Sequence, residues 1–95
     1  MHIFVEQMTT ASGNPAPNQI RIFAGTCQFF QSHATVICRW DKRRGEVVMS
    51  SDLRHTSRTT MAYLSFFLKM SPVAIRKAIK DGRFKVCDGT LGVEV

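Results

Sequence analysis

Residues 46–70 read Glu-Val-Val-Met-Ser-Ser-Asp-Leu-Arg-His-Thr-Ser-Arg-Thr-Thr-Met-Ala-Tyr-Leu-Ser-Phe-Phe-Leu-Lys-Met, and the hydrophobic period changes inside this stretch. Glu46 to Ser50 is a short β-branched run of the kind that forms strands. Beyond Ser50, Ser51 and Asp52 the spacing becomes helical. Tyr63, Phe66, Phe67 and Met70 fall at i, i+3, i+4 and i+7, and Leu64 and Leu68 widen the apolar stripe. Thr56 or Ser57 can cap this helix by accepting from a free amide of its first turn. Strands before the switch and helices after it make the expected fold class α+β.

Working back from the switch, Thr35 to Trp40 and Glu46 to Ser50 flank Asp41, Lys42, Arg43, Arg44 and Gly45. That pattern predicts a β-hairpin with Gly45 at a left-handed backbone position. Ile20, Ile22 and Ala24 alternate with Arg21 and Phe23, a strand pattern closed by Gly25, and Phe29 and Phe30 continue a further β segment. Residues 9–19 mix small, polar, Gly and Pro residues without apolar periodicity, so they are expected to be a flexible loop or connector. Met1 to Gln7 is either a short strand or an extension of the fold.

Working forward, Ser71 and Pro72 have the N-cap and N1 chemistry of a new helix, expected from Pro72 to about Asp81 with a stop at Gly82. Its buried face is Ile75, Ala78 and Ile79, and Arg76, Lys77 and Lys80 lie opposite. Arg83 to Cys87, the Asp88-Gly89 pair and Thr90 to Val95 predict a C-terminal β-hairpin with a two-residue turn. The expectation for residues 1–95 is one domain: a small antiparallel sheet, two helices in a helix-turn-helix-like arrangement, then that hairpin.

Charge is the abnormal feature of the composition. Thirteen Lys and Arg against seven Asp and Glu give +6, which suits a polyanionic partner. Twelve of those cations lie between Arg39 and Lys85 with only four acids, Asp41, Glu46, Asp52 and Asp81, so the local excess is eight. They concentrate on the Lys42, Arg43 and Arg44 turn, on Arg76, Lys77 and Lys80, and on Arg83 and Lys85. A basic β-ribbon can enter a groove or follow a phosphate backbone, and a charged tip can also simply keep a sheet edge soluble. A basic helix face is likewise often only a solvated face. Trp40 can stack on an exposed base or belong to the core.

The run Lys69-Met70-Ser71-Pro72-Val73-Ala74-Ile75-Arg76-Lys77-Ala78-Ile79-Lys80-Asp81-Gly82-Arg83-Phe84 resembles the recognition-helix region of excisionase-like and mercury-resistance-regulator-like winged helix-turn-helix proteins. The resemblance spans residues 57–95. It implies that Ser71 caps a recognition helix, that Arg76, Lys77 and Lys80 approach a DNA groove, and that Arg83 and Lys85 touch phosphates from a wing. The segment Gly82-Arg83-Phe84-Lys85-Val86-Cys87-Asp88-Gly89 is also similar to the α-L RNA-binding motif of some ribosomal proteins and pseudouridine synthases, which implies RNA as the partner.

Other classes find less support. His2, His33 and His55 are far apart in sequence, no Cys-x-x-Cys or His-x-x-x-His pair occurs, and no phosphate-binding glycine loop is present. No catalytic residue, metal or cofactor is therefore expected, and the chain is not expected to be an enzyme. Cys27, Cys38 and Cys87 are odd in number and widely spaced, which favours reduced, buried thiols over a disulfide framework. The longest apolar runs fall far short of the roughly 20 residues of a membrane span, and the amino end lacks a basic region and signal core, so a cytoplasmic location is expected.

The expected function is a small basic nucleic-acid-binding protein, a DNA-binding regulator of the kind mobile elements encode, with RNA as the other polyanion. The alternative is a small phage- or plasmid-type inhibitor that binds and blocks an acidic or nucleic-acid-processing host complex. A homodimer would suit the first, because helix-turn-helix proteins usually read two half-sites.

Overall fold

Alternation dictates the first half of the chain. The computed structural model describes residues 3–33, 35–50 and 57–87. Five strands, β1 (Ile3–Thr9), β2 (Pro15–Ala24), β3 (Cys27–Ser32), β4 (Thr35–Asp41) and β5 (Glu46–Ser50), follow one another as an antiparallel meander. Gly25, with φ 64°, turns β2 into β3. At the β4–β5 turn Asp41 Oδ1 accepts from the amides of Arg43 (3.1 Å) and Arg44 (3.2 Å), and Gly45 at φ 65° completes the reversal.

Two helices then follow, α1 (Arg58–Leu68) and α2 (Pro72–Lys80), and they return the chain to a sixth strand, β6 (Lys85–Cys87). β6 pairs with β5 in parallel, through Val48 with Lys85, Met49 with Val86 and Ser50 with Cys87. A parallel neighbour needs a long crossover, and the two helices supply it. Ser57 caps α1 by accepting from the Thr60 amide at 3.2 Å, and Ser71 caps α2 by accepting from the Ala74 amide at 3.2 Å. Lys69 ends α1 in the left-handed region, φ 57°, and Gly82 at φ 78° follows α2.

The helices cover one face of the sheet. Phe30, Ile37, Cys38, Val47 and Met49 pack there against Met61, Leu64, Phe67, Leu68 and Ile75. A register shift between Phe30 and Gln31 leaves Ile37 as an extra residue in β4, so Ile37 and its neighbour Cys38 both join this core. The opposite face buries Ile22, Ala24, Phe29, Val36 and Val48, with Ile20, Cys27 and Cys87 packed around them. Among the described residues no helix is long and apolar enough to cross a membrane.

The expected architecture is corrected in three respects. Among the described residues the sheet is six-stranded and mixed, and it dominates the molecule. The helices form a β5-to-β6 crossover, and a helix-turn-helix arrangement is not seen. Of the expected C-terminal hairpin, Lys85 to Cys87 is β6, paired in parallel with β5, and residues 88–95 lie outside the described residues. Finally, the loop expected over residues 9–19 is confined to Thr10 to Asn14, a tight turn with the Thr10 amide 2.7 Å from the Asn14 carbonyl; Thr9 ends β1, and Pro15 to Gln19 belong to β2. β3 pairs with β2 only from Gln19 onward, so Pro15 and Pro17 lie where no ladder on that side requires their missing N–H.

The stripe of α1 is also rotated. Thr60, Met61, Leu64, Phe67 and Leu68 are buried, while Phe66 is 63% exposed and Tyr63 is half-buried. Both stripes contain Leu64, Phe67 and Leu68, so periodicity alone does not choose between them. The buried hydroxyl contact of Ser32 with Thr60, 2.9 Å, accompanies the observed rotation.

Candidate functional site

Sheet topology gathers the basic segments. The β4–β5 turn immediately precedes β5, and β6 runs parallel to β5, so Lys42, Arg43 and Arg44 lie at the same end of the sheet as the start of β6. Glu46 joins them: its carboxylate lies 3.8 Å from Arg39 and 3.4 Å from Lys85. The turn is anchored from the other side as well, because the Lys42 amide donates to the Thr26 carbonyl at 3.2 Å and the Thr26 hydroxyl reaches Asp41 at 3.5 Å. The end of α2 enters this region through a turn in which the Arg83 amide donates to the Ala78 carbonyl at 2.9 Å.

Lys42, Arg43, Arg44, Arg83 and Lys85 are thus collected at one end of the sheet, each exposed. Lys77 and Lys80 occupy the last turn of α2, where the helix macrodipole favours cations. Arg76 is exposed one turn before Lys80, farther from the sheet end. Arg44 pairs with Asp41 at 3.9 Å and Arg83 with Asp81 at 3.8 Å. Among the described residues Arg43, Arg76, Lys77 and Lys80 make no ion pair. Exposed pairs of this kind contribute only about 0–1 kcal/mol, so they compete weakly with a phosphate.

Trp40 is half-buried. Its ring meets Phe67 edge-on at 6.1 Å, and the Lys42 ammonium lies 4.9 Å from its centroid, so it is a core wall whose other side carries a cation. The sequence did not single out the neighbours of Trp40 on this face. Strand register aligns Phe4 with Phe23, Phe23 with Gln28, Gln28 with Trp40, and Trp40 with Val47. Residues directly opposite in antiparallel strands share a face, so these five form one row across the helix-bearing side. Phe4 is 65% exposed and Phe23 half-buried. Only the alternation of Phe23 against Ile22 hinted at this; the row itself is a property of register.

A cleft of about 590 Å³ lies between β1 and α1, lined by Glu6, Met8, Thr10, Arg21 and Phe66 among others. The Arg21 guanidinium is 3.8 Å from Glu6 and sits 5.7 Å from the Phe67 centroid and 6.0 Å from that of Phe23. Cys38 is wholly buried, and that burial pushes its thiol well above the usual range, which suits packing and not nucleophilic attack. Among the described residues no group of three or more His, Cys, Asp or Glu is placed to hold a metal ion. Comparison of the chain with protein-family models, curated proteins and solved structures finds no match.

Proposed function

We propose that this protein binds nucleic acid through the basic end of its sheet, with Lys42, Arg43, Arg44, Arg83 and Lys85 contacting phosphates and Lys77 and Lys80 extending the positive surface along α2. One observation carries the proposal: parallel pairing of β5 with β6 sets the basic turn and the α2–β6 junction at the same end. There Arg39, Lys42, Arg43, Arg44, Arg83 and Lys85 outnumber Asp41, Glu46 and Asp81 by six to three. Without a helix-turn-helix, α2 acts through charge and is not assigned base reading.

Charge reversal tests this. Arg43→Glu with Arg44→Glu is expected to weaken binding of a labelled oligonucleotide about 100-fold at low salt, because two phosphate contacts are lost and two repulsions added. Unchanged affinity would refute the assignment.

A second reading, a blocker of an acidic or nucleic-acid-processing protein complex, has one observation in its favour. Edge strand β1 carries no Lys, Arg or Pro and leaves Ile3 and Val5 exposed, features that suit strand addition by a protein partner. A partner recovered from host extract equally well after nuclease treatment, and retained by the Arg43→Glu/Arg44→Glu variant, would favour it.

A further inference from the structure

We infer that β1 pairs with β1 of a second copy of this chain, giving a two-fold dimer whose sheet runs through both subunits; this goes beyond the function proposed above and does not depend on what the basic end binds. The two edges of the sheet are built differently. β6 is three residues long and displays Lys85, and shortness and lysine are both common protections of an edge. β1 has seven residues, no Lys, Arg or Pro, and a neighbouring strand on one side only among the described residues. Its ladder with β2 is regular from Ile3 to Gln7 and shifts only between Gln7 and Thr9. Such a regular stretch is a template for one more strand.

Register shows what that strand would gain. Ile3 lies opposite Ala24 and Val5 opposite Ile22, and Ala24 and Ile22 are buried members of the core on the face away from the helices. That core therefore reaches the edge at Ile3, 42% exposed, and Val5, 66% exposed. An antiparallel β1 that sets Ile3 against Val5 of the second copy, and Val5 against its Ile3, brings four aliphatic side chains together on this face and carries the core across the dyad. The same register keeps the two Glu6 side chains from facing each other.

Charge selects a second copy as the occupant. Chains of net charge +6 repel one another and can meet only where their own charge is balanced. Residues 3–32 hold one acid and one cation, Glu6 and Arg21, which lie 3.8 Å apart. The basic end is built from the β4–β5 turn and the start of β6, toward the other edge of the sheet. An acidic protein would be drawn there, because β1 offers it no cation. Symmetrical use of one edge by two copies also closes the assembly as a dimer, where joining β1 to β6 of a second copy would leave open edges and propagate.

The test is sedimentation velocity of the full chain, freed of nucleic acid by nuclease treatment, from about 1 to 100 μM. The wild-type mass is expected to rise with concentration from 10.7 kDa toward twice that value, and to rise more readily at higher salt, which screens the repulsion between basic copies. Val5→Lys, at an exposed position, is expected to stay at 10.7 kDa throughout with an unchanged circular dichroism spectrum, because it sets a cation at the edge of each copy. Hydrogen exchange of the wild-type chain reads the same contact without a variant: amide protection over residues 3–7 is expected to increase with protein concentration while that of α2 stays constant. A wild-type chain that remains monomeric, association that weakens as salt is raised, a dimer that a folded Val5→Lys leaves intact, or protection of β1 that ignores concentration overturns the inference. Each of these outcomes leaves phosphate binding standing, since the Arg43→Glu/Arg44→Glu variant tests that separately.

Discussion

The Lys85 ammonium lies 3.4 Å from Glu46 Oε2, across the only parallel strand pair among the described residues. The same carboxylate lies 3.8 Å from Arg39, so one acid holds two cations at the end of the sheet where the basic turn emerges. Glu46→Gln is expected to change stability by less than about 1 kcal/mol, since all three groups are solvent-accessible, and to raise nucleic-acid affinity several-fold by freeing Arg39 and Lys85. Thermal melting and anisotropy titration check the two halves. An affinity loss would mean that Glu46 itself supports binding.

Phe67 joins the layers. It stacks on Phe30 at 5.9 Å, meets Trp40 edge-on, and lies under the Arg21 guanidinium. Phe67→Ala should cost about 3–5 kcal/mol through lost burial and the cavity left behind. Denaturant unfolding followed by the emission of Trp40, the single tryptophan, measures this.

Ser71 accepts from the Ala74 amide at the start of α2, and Pro72 follows at the first helical position. Ser71→Ala should destabilise the fold by about 1 kcal/mol. Ser71→Asp should recover most of that loss, because a carboxylate also caps and favours the positive end of the macrodipole.

Desolvation holds the Cys38 thiol protonated in the folded chain. Its folded-state pKa lies above the unfolded one, so its contribution to stability is full below the ordinary thiol range near pH 8.5 and declines as pH rises beyond it. Iodoacetamide at pH 8 is expected to leave Cys38 unmodified in the native protein and to alkylate it once denaturant unfolds the chain. Peptide mass spectrometry reads both states.

Where local chemistry decides structure, the sequence was readable. The β4–β5 hairpin was visible in Asp41 and Gly45, and α2 in Ser71, Pro72 and Gly82, because caps and turns are built from a few neighbouring residues. Non-local choices were not visible. Leu64, Phe67 and Leu68 fit either of two stripes on α1, and only packing on the sheet turned Phe66 outward. Pro15 and Pro17 read as loop because their missing amides look disqualifying until β3 is known to stop at Ser32. Parallel addition of β6 depended on the free edge of β5, which no local motif announces. The basic clusters were legible as segments, but their meeting at one end follows from that parallel pairing, and the Phe4–Phe23 row follows from register.

The dependence of oligonucleotide binding on salt tests the central claim most directly. With about four to six phosphates contacted by the basic end, log affinity should fall against log salt with a slope of about −4 to −5 for duplex and shallower for single strands. A slope near zero, or no binding at low salt, would contradict the account.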